Sequence, residues 1–194
     1  MEMHFWQHTG KESNMIREEL KKKLESEALR IEQDSELTAK AQFHEAEFWN
    51  FLQHTIIISA TILSTVAFFL STKDYGFLGI IPVFGRTILI AKVINIFSTF
   101  ITGILTTLIA TINPAEKIRL HQNSGTSLLK LYNDTRIFRN IHLLREDVSE
   151  EELCKAMHIL SDRRSNLRDK SPQHSSKAYK KAIKSKKEVS SVAC

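Results

Sequence analysis

FLQHTIIISATILSTVAFFL, residues 51–70, and VINIFSTFITGILTTLIATI, residues 93–112, are two runs of 20 residues without a single Asp, Glu, Lys or Arg. As helices each is about 30 Å long, the thickness of the hydrocarbon core of a bilayer. They predict an all-α membrane protein: a two-transmembrane hairpin, with spans at about 51–70 and 88–112 and long cytosolic helices before and after it. Trp49 and Phe48 stand where the first run begins. Aromatic residues favour the headgroup level, where an amphipathic ring is partly wet.

Outward from these runs the chain is densely charged. Residues 1–50 carry 7 Lys/Arg and 11 Asp/Glu, a net of −4, and residues 115–194 carry 17 and 10, a net of +7. The division expected is therefore an N-terminal cytosolic helical region over 1–50 and a hairpin over 51–112. A cytosolic helical region over 113–170 and a basic tail over 171–194 follow. The first 50 residues lack the apolar core segment of a secretory signal. Cys154 and Cys194 are read as free thiols.

On the N-terminal side, Ile16, Leu20, Leu24, Ala28 and Ile31 recur at helical spacing, and no Pro or Gly occurs from Glu12 to Lys73. One helix is expected to run from Ser13 or Asn14 toward the first span, with a possible break near Asp34–Ser35. Between the spans, STKDYGFLGIIPVFGR (71–86) contains Gly76, Gly79, Pro82 and Gly85 and reads as a short connector. After the second span, Asn113–Pro114 pairs a good N-cap with a good first helical residue. These two residues are the expected hinge between span and cytosol. Ser149 and Glu152 have capping-box spacing, so another helix should start near Ser149. After Pro172 the Ser- and Lys-rich end leaves room for a short helix around Tyr179.

Within the second span, Lys92, Asn95, Thr99, Thr102, Thr106 and Asn113 follow steps of 3, 4, 3, 4 and 7, which place them on one helical face. Val93, Ile94, Phe97, Ile101, Ile104, Leu105 and Leu108 occupy the other. Polar groups are costly against lipid, so the stripe is expected to face protein or water. Lys92, Asn95, Thr99, Thr102 and Thr106 are therefore candidates for a pore lining or a helix interface. Thr hydroxyls that bond back to their own helix are the alternative. Thr99, Gly103 and Thr107 also have small-xxx-small spacing, which permits close helix contact.

No metal-ligand spacing, phosphate-binding loop or nucleophile elbow occurs in the chain. An enzyme is not expected, nor a catalytic residue, a metal or a cofactor. Lys177 to Lys187 form a basic run that reads either as a plain solvated tail or as a contact for anionic lipid, the nearer partner, and no specific nucleic acid is expected.

Four features together carry a family resemblance. AKAQFHEAEFWNFLQH leads into the first span, and a short connector and second span follow. NPAEKIRLHQNSGTSLLKLYNDTRIF comes next, with Pro114, Lys117, His121 and a later Leu-Tyr pair. SPQHSSKAYKKA closes the series with Pro172, Ala178, Tyr179 and Ala182. Over most of residues 35–185 this arrangement resembles the SLATT family, two-transmembrane effector domains associated with SMODS nucleotidyltransferases and SLOG sensors. The resemblance implies a prokaryotic conflict-system effector in the inner membrane. Such an effector forms homo-oligomers and permeabilises the bilayer when a separate sensor protein or a nucleotide signal triggers it. The alternative, drawn from the residues alone, is a non-conducting anchor that recruits partners through its cytosolic helices.

Overall fold

The computed structural model describes the backbone of residues 3–71 and 85–192 and the side chains of residues 15–69 and 93–188. The connector read over 71–86 therefore lies almost wholly outside the described residues, as do the Lys92 side chain and Cys194. Among the described residues five α-helices follow in order: α1 Met3–Ser71, α2 Gly85–Ile112, α3 Pro114–Ile137, α4 Glu150–Lys170 and α5 Ser176–Val192. A π-helical turn, Phe138–His142, extends α3. No strand occurs among the described residues.

Helix α1 runs unbroken through Asp34–Ser35. The reason is tertiary. Arg164 on α4 donates from Nε and Nη2 to Asp34 Oδ2 at 2.9 and 2.6 Å, and Ser35 is 1% exposed. Packing and an ion pair here override the modest helix propensity of Asp and Ser.

The chain divides into two compact units, residues 1–46 with 120–194, and residues 47–119. In the first, one apolar stripe per helix builds the core. Leu24, Ala28 and Ile31 of α1 meet Leu131, Phe138 and Leu143 and, from α4, Leu153, Met157 and Leu160. The π-helical turn carries Phe138 into this cluster, and the Leu143 amide closes it on the Phe138 carbonyl at 3.1 Å. Ser149 caps α4 with the reciprocal Ser149–Glu152 bonds of a capping box. Arg139 adds an ion pair to Glu32 at 2.9 Å.

The last stretch is no loose tail in this unit. Residues 171–194, read from sequence as a basic region, carry the 17-residue α5, with Ala182 fully buried and Ala178 6% exposed. Lys186 of α5 reaches Glu36 of α1 at 2.8 Å. Small side chains let α5 approach closely, while its lysines fill the outer face.

In the second unit the apolar segments of α1 and α2 are each long and apolar enough to cross a membrane, and their apolar stretches are almost entirely exposed. Phe68, Phe69, Ile96, Phe97 and Phe100 are 61–69% exposed. Monomeric soluble proteins rarely expose apolar surface on this scale, whereas lipid accepts it without cost.

Candidate functional site

Among its described side chains the second unit buries few, and those it buries have a clear register. On α2 the less exposed positions are Asn95, Ser98, Thr102, Leu105, Ile109 and Ile112, at steps of 3, 4, 3, 4 and 3. On α1 they are Trp49, Leu52, Gln53, Ile56, Ser59, Ala60, Leu63 and Ala67. Ser98 is 5% and Ala67 9% exposed. This is the spacing of two helices meeting along one seam, and the most buried residue on each is small, Ser98 and Ala67.

The polar stripe is thereby divided. Asn95 and Thr102 lie on the seam, while Thr99, Thr106 and Asn113 are exposed. Ser98, outside the expected stripe, is the most buried polar residue of this unit's described side chains. Leu105, assigned from sequence to the apolar face, also lies on the seam. The stripe and the seam share Asn95 and Thr102 and diverge elsewhere, because both follow steps of three and four with different phases.

Every threonine hydroxyl of this span donates to its own helix. Thr99, Thr102, Thr106, Thr107 and Thr111 donate to the carbonyls of Asn95, Ser98, Thr102, Gly103 and Thr107, at 2.8–2.9 Å. The donor protons are thus spent, and the oxygens retain lone pairs that accept. On the outward side, Thr99, Gly103 and Thr107, with Phe100, Ile104 and Leu108, line a shallow groove. A Cβ built on Gly103 meets nothing within 4 Å, so the groove floor is open.

At the end of the span, Asn113 adopts φ 45°, the left-handed region. Pro114 disfavours the right-handed helical region for the residue before it, and Asn tolerates the left-handed one. Asn113 N donates to the Ile109 carbonyl at 3.0 Å, closing α2. The Asn113 carbonyl accepts from Glu116 N at 3.2 Å, opening α3. Asn113 Nδ2 also donates to Glu116 Oε2 at 2.8 Å. One residue therefore terminates one helix and starts the next. Near it, the Lys117 ammonium lies 4.0 Å from the centroid of the Trp49 ring. Trp49 precedes the first apolar run and Lys117 follows the second, so the beginning of one apolar run lies beside the end of the other.

The first unit contains polar features that sequence patterning did not single out. Gln42 Nε2 donates to the Pro172 carbonyl at 2.8 Å, which orients its amide so that Oε1 faces His121 Nδ1 at 2.6 Å. A carbonyl only accepts, so His121 Nδ1 is the donor in that contact. Glu45 Oε2 accepts from Ser175 Oγ at 2.7 Å and from Ser175 N at 3.2 Å. His121, Pro172, Ala178 and Ala182, singled out by the family resemblance, thus all contribute to how the 171–182 stretch is held in this unit. The same stretch borders a cavity of about 580 Å³. Asp34, Ser35, Arg164, Arg168, His174 and Tyr179 are among its lining residues. Nothing in local sequence marks it, because its walls come from α1, α3, α4, α5 and the segment before α5. Among the described residues, no group of three or more His, Cys, Asp or Glu side chains is placed to hold a metal ion.

No family model, curated protein or solved structure matches the chain.

Proposed function

We propose that this protein is a two-pass effector of a prokaryotic conflict system. It resides in the inner membrane with both termini in the cytoplasm. Copies of the chain assemble through α2 and perturb or open the bilayer when a cytosolic signal, carried by a separate sensor protein or a nucleotide, reaches the helical region. Its action is mechanical rather than catalytic. The effector role follows from the SLATT resemblance. The observation that carries assembly is the open groove at Thr99, Gly103 and Thr107 on a span whose polar seam is already occupied within the chain. The Lys117–Trp49 contact supports a hairpin, since it pairs the start of one apolar run with the end of the other.

The threonine back-bonds support a second reading, a non-conducting anchor that recruits partners through its cytosolic helices. Hydroxyls whose protons go to the helix backbone hydrate a path less well than free ones. One experiment separates the two. Regulated expression in a bacterium, followed by uptake of a potential-sensitive dye, should show depolarisation with the wild type. Thr99→Leu with Thr106→Leu, both exposed on α2, should insert normally and fail to depolarise. Membrane insertion without depolarisation by the wild type, under conditions that arrest growth, would leave the anchor as the better account.

A further inference from the structure

We propose that the outward face of α5 docks on an anionic phospholipid surface, the cytoplasmic leaflet of the bilayer that holds the chain. The helix has two distinct sides. Ala178 and Ala182 are buried, and Lys186 on that side reaches Glu36 of α1 at 2.8 Å. Lys177, Lys180, Lys181, Lys184 and Lys187 are exposed. Four of these, Lys177, Lys180, Lys184 and Lys187, follow steps of 3, 4 and 3, and Lys181 stands about one turn from Lys177 and from Lys184. The five therefore share one arc of about 120° and extend for about 15 Å along the helix. From Ser176 to Glu188 the other exposed positions are Ser176 and Glu188 themselves, so the face carries no apolar side chain.

Positive charge is gathered on this helix rather than spread over the unit. The first unit carries 22 Lys/Arg and 19 Asp/Glu, a net of +3, and α5 alone carries 6 Lys and 1 Glu, a net of +5. The rest of the unit is slightly negative. Lys177 with Lys181 and Lys180 with Lys184 are like-charge pairs at i and i+4, which weaken a helix. The one carboxylate on the arc, Glu188, lies 3.9 Å from Lys184 at the far end. An extended anion facing the arc relieves this repulsion, and about four to eight basic residues on one amphipathic helix suffice to hold anionic lipid. The residue types select lipid over nucleic acid. The arc offers no Arg for bidentate contacts and no aromatic ring on which a base could stack. Lysine is a hydrated point charge on a flexible stem, suited to a fluid layer of phosphates without fixed spacing. With no apolar residue among the lysines, the helix lies on the headgroups and does not insert. The chain also carries two helices long and apolar enough to cross a membrane, which would keep a bilayer within its reach. The docking rests on the membrane placement and cytoplasmic termini proposed above.

Lysine footprinting of the full-length protein tests it. The protein is placed in nanodiscs of phosphatidylcholine alone, or of phosphatidylcholine with about 30% phosphatidylserine. Acetylation by a water-soluble reagent is then followed residue by residue by mass spectrometry. Lys177, Lys180 and Lys184 should react at least threefold more slowly in the anionic discs. Lys22 of α1 and Lys155 of α4, also exposed, should react at the same rate in both. Phosphatidylglycerol should replace phosphatidylserine, and raising NaCl from about 0.1 to 0.5 M should abolish the protection, because salt screens exposed charges. Equal rates at Lys177, Lys180 and Lys184 in the two discs overturn the proposal, as does equal protection of Lys22 and Lys155. Protection in neutral discs by soluble glycerophosphoserine would reassign the face to a free phosphate compound and overturn the lipid surface. Protection by a 20-nucleotide single-stranded DNA, without protection by phosphatidylserine, would assign the face to nucleic acid instead. A chain that does not enter even the neutral discs would refute the membrane placement itself, and the docking with it.

Discussion

The Lys117 ammonium sits over the Trp49 ring at 4.0 Å, joining residues separated by both apolar runs. A cation on the face of a Trp ring is a cation–π pair, worth about 0.5–1 kcal/mol when exposed, and the proposed membrane placement would set this pair at the headgroup level. Cysteines at Trp49 and Lys117, in a chain lacking Cys154 and Cys194, should be joined within one molecule by a short bis-maleimide. A Trp49/Thr99 cysteine pair, with one partner deep in the span, should not. Equal crosslinking by both pairs would remove the contact as a fixed feature.

Topology has a native reporter. Cys154 is exposed on α4 and forms no disulfide. With Cys194→Ser, a membrane-impermeant maleimide should leave Cys154 unlabelled in intact cells and label it once the inner membrane is permeabilised. A cysteine introduced at Tyr75, in the connector, should show the reverse order. Labelling of Cys154 in intact cells would place the helical region outside the cytoplasm.

The divided stripe makes a prediction about assembly. Thr99 and Gly103 face outward, whereas Thr102 lies on the seam within the chain. Cysteine at Thr99 should crosslink between molecules in native membranes, and cysteine at Thr102 should do so much more weakly. Gly103→Ile fills the groove with a β-branched side chain and should suppress the Thr99 crosslink at unchanged expression. Strong intermolecular crosslinking at Thr102 would mean that the seam opens in the assembly.

Acid should release α5. Burial alone would raise the Glu36 pKa, but hydrogen bonds from Lys186 at 2.8 Å and Lys40 at 2.7 Å outweigh it and hold the carboxyl below its ordinary value. A carboxyl depressed in the folded state stabilises above its unfolded pKa and loses that contribution as pH falls through the folded one. The wild type should therefore exceed Glu36→Gln in melting temperature at pH 7. The gap should narrow steadily as pH drops below the ordinary glutamate range. A gap that stays constant down to pH 3 would show that the Glu36 charge does not anchor α5.

Much of this protein is written in short-range pattern. Two runs of at least 20 residues without a charged side chain, flanked by charged segments, specify the apolar helices, because a bilayer would demand a length and an apolar character that any single helix must satisfy by itself. Asn113–Pro114 specifies its own break, since the clash of the proline ring acts on the residue directly before it. Ser149 and Glu152 specify the start of α4 through bonds spanning three residues. Other features depend on partners far away in the chain. Asp34 stays helical because Arg164, 130 residues on, takes its charge. Ala178 and Ala182 in a lysine-rich stretch are buried because α1 offers Glu36 and Glu45 where α5 and the segment before it arrive. Gly125 lies mid-helix, where glycine costs about 0.5–1 kcal/mol relative to alanine. The Phe43 ring would come within 3.0 Å of any Cβ placed there, which is a fact of α1 against α3 alone. The phase of the seam on α2 and the walls of the polar cavity belong to the same class. Periodicity states that a helix has faces, and only the neighbour that packs against it decides which face is used.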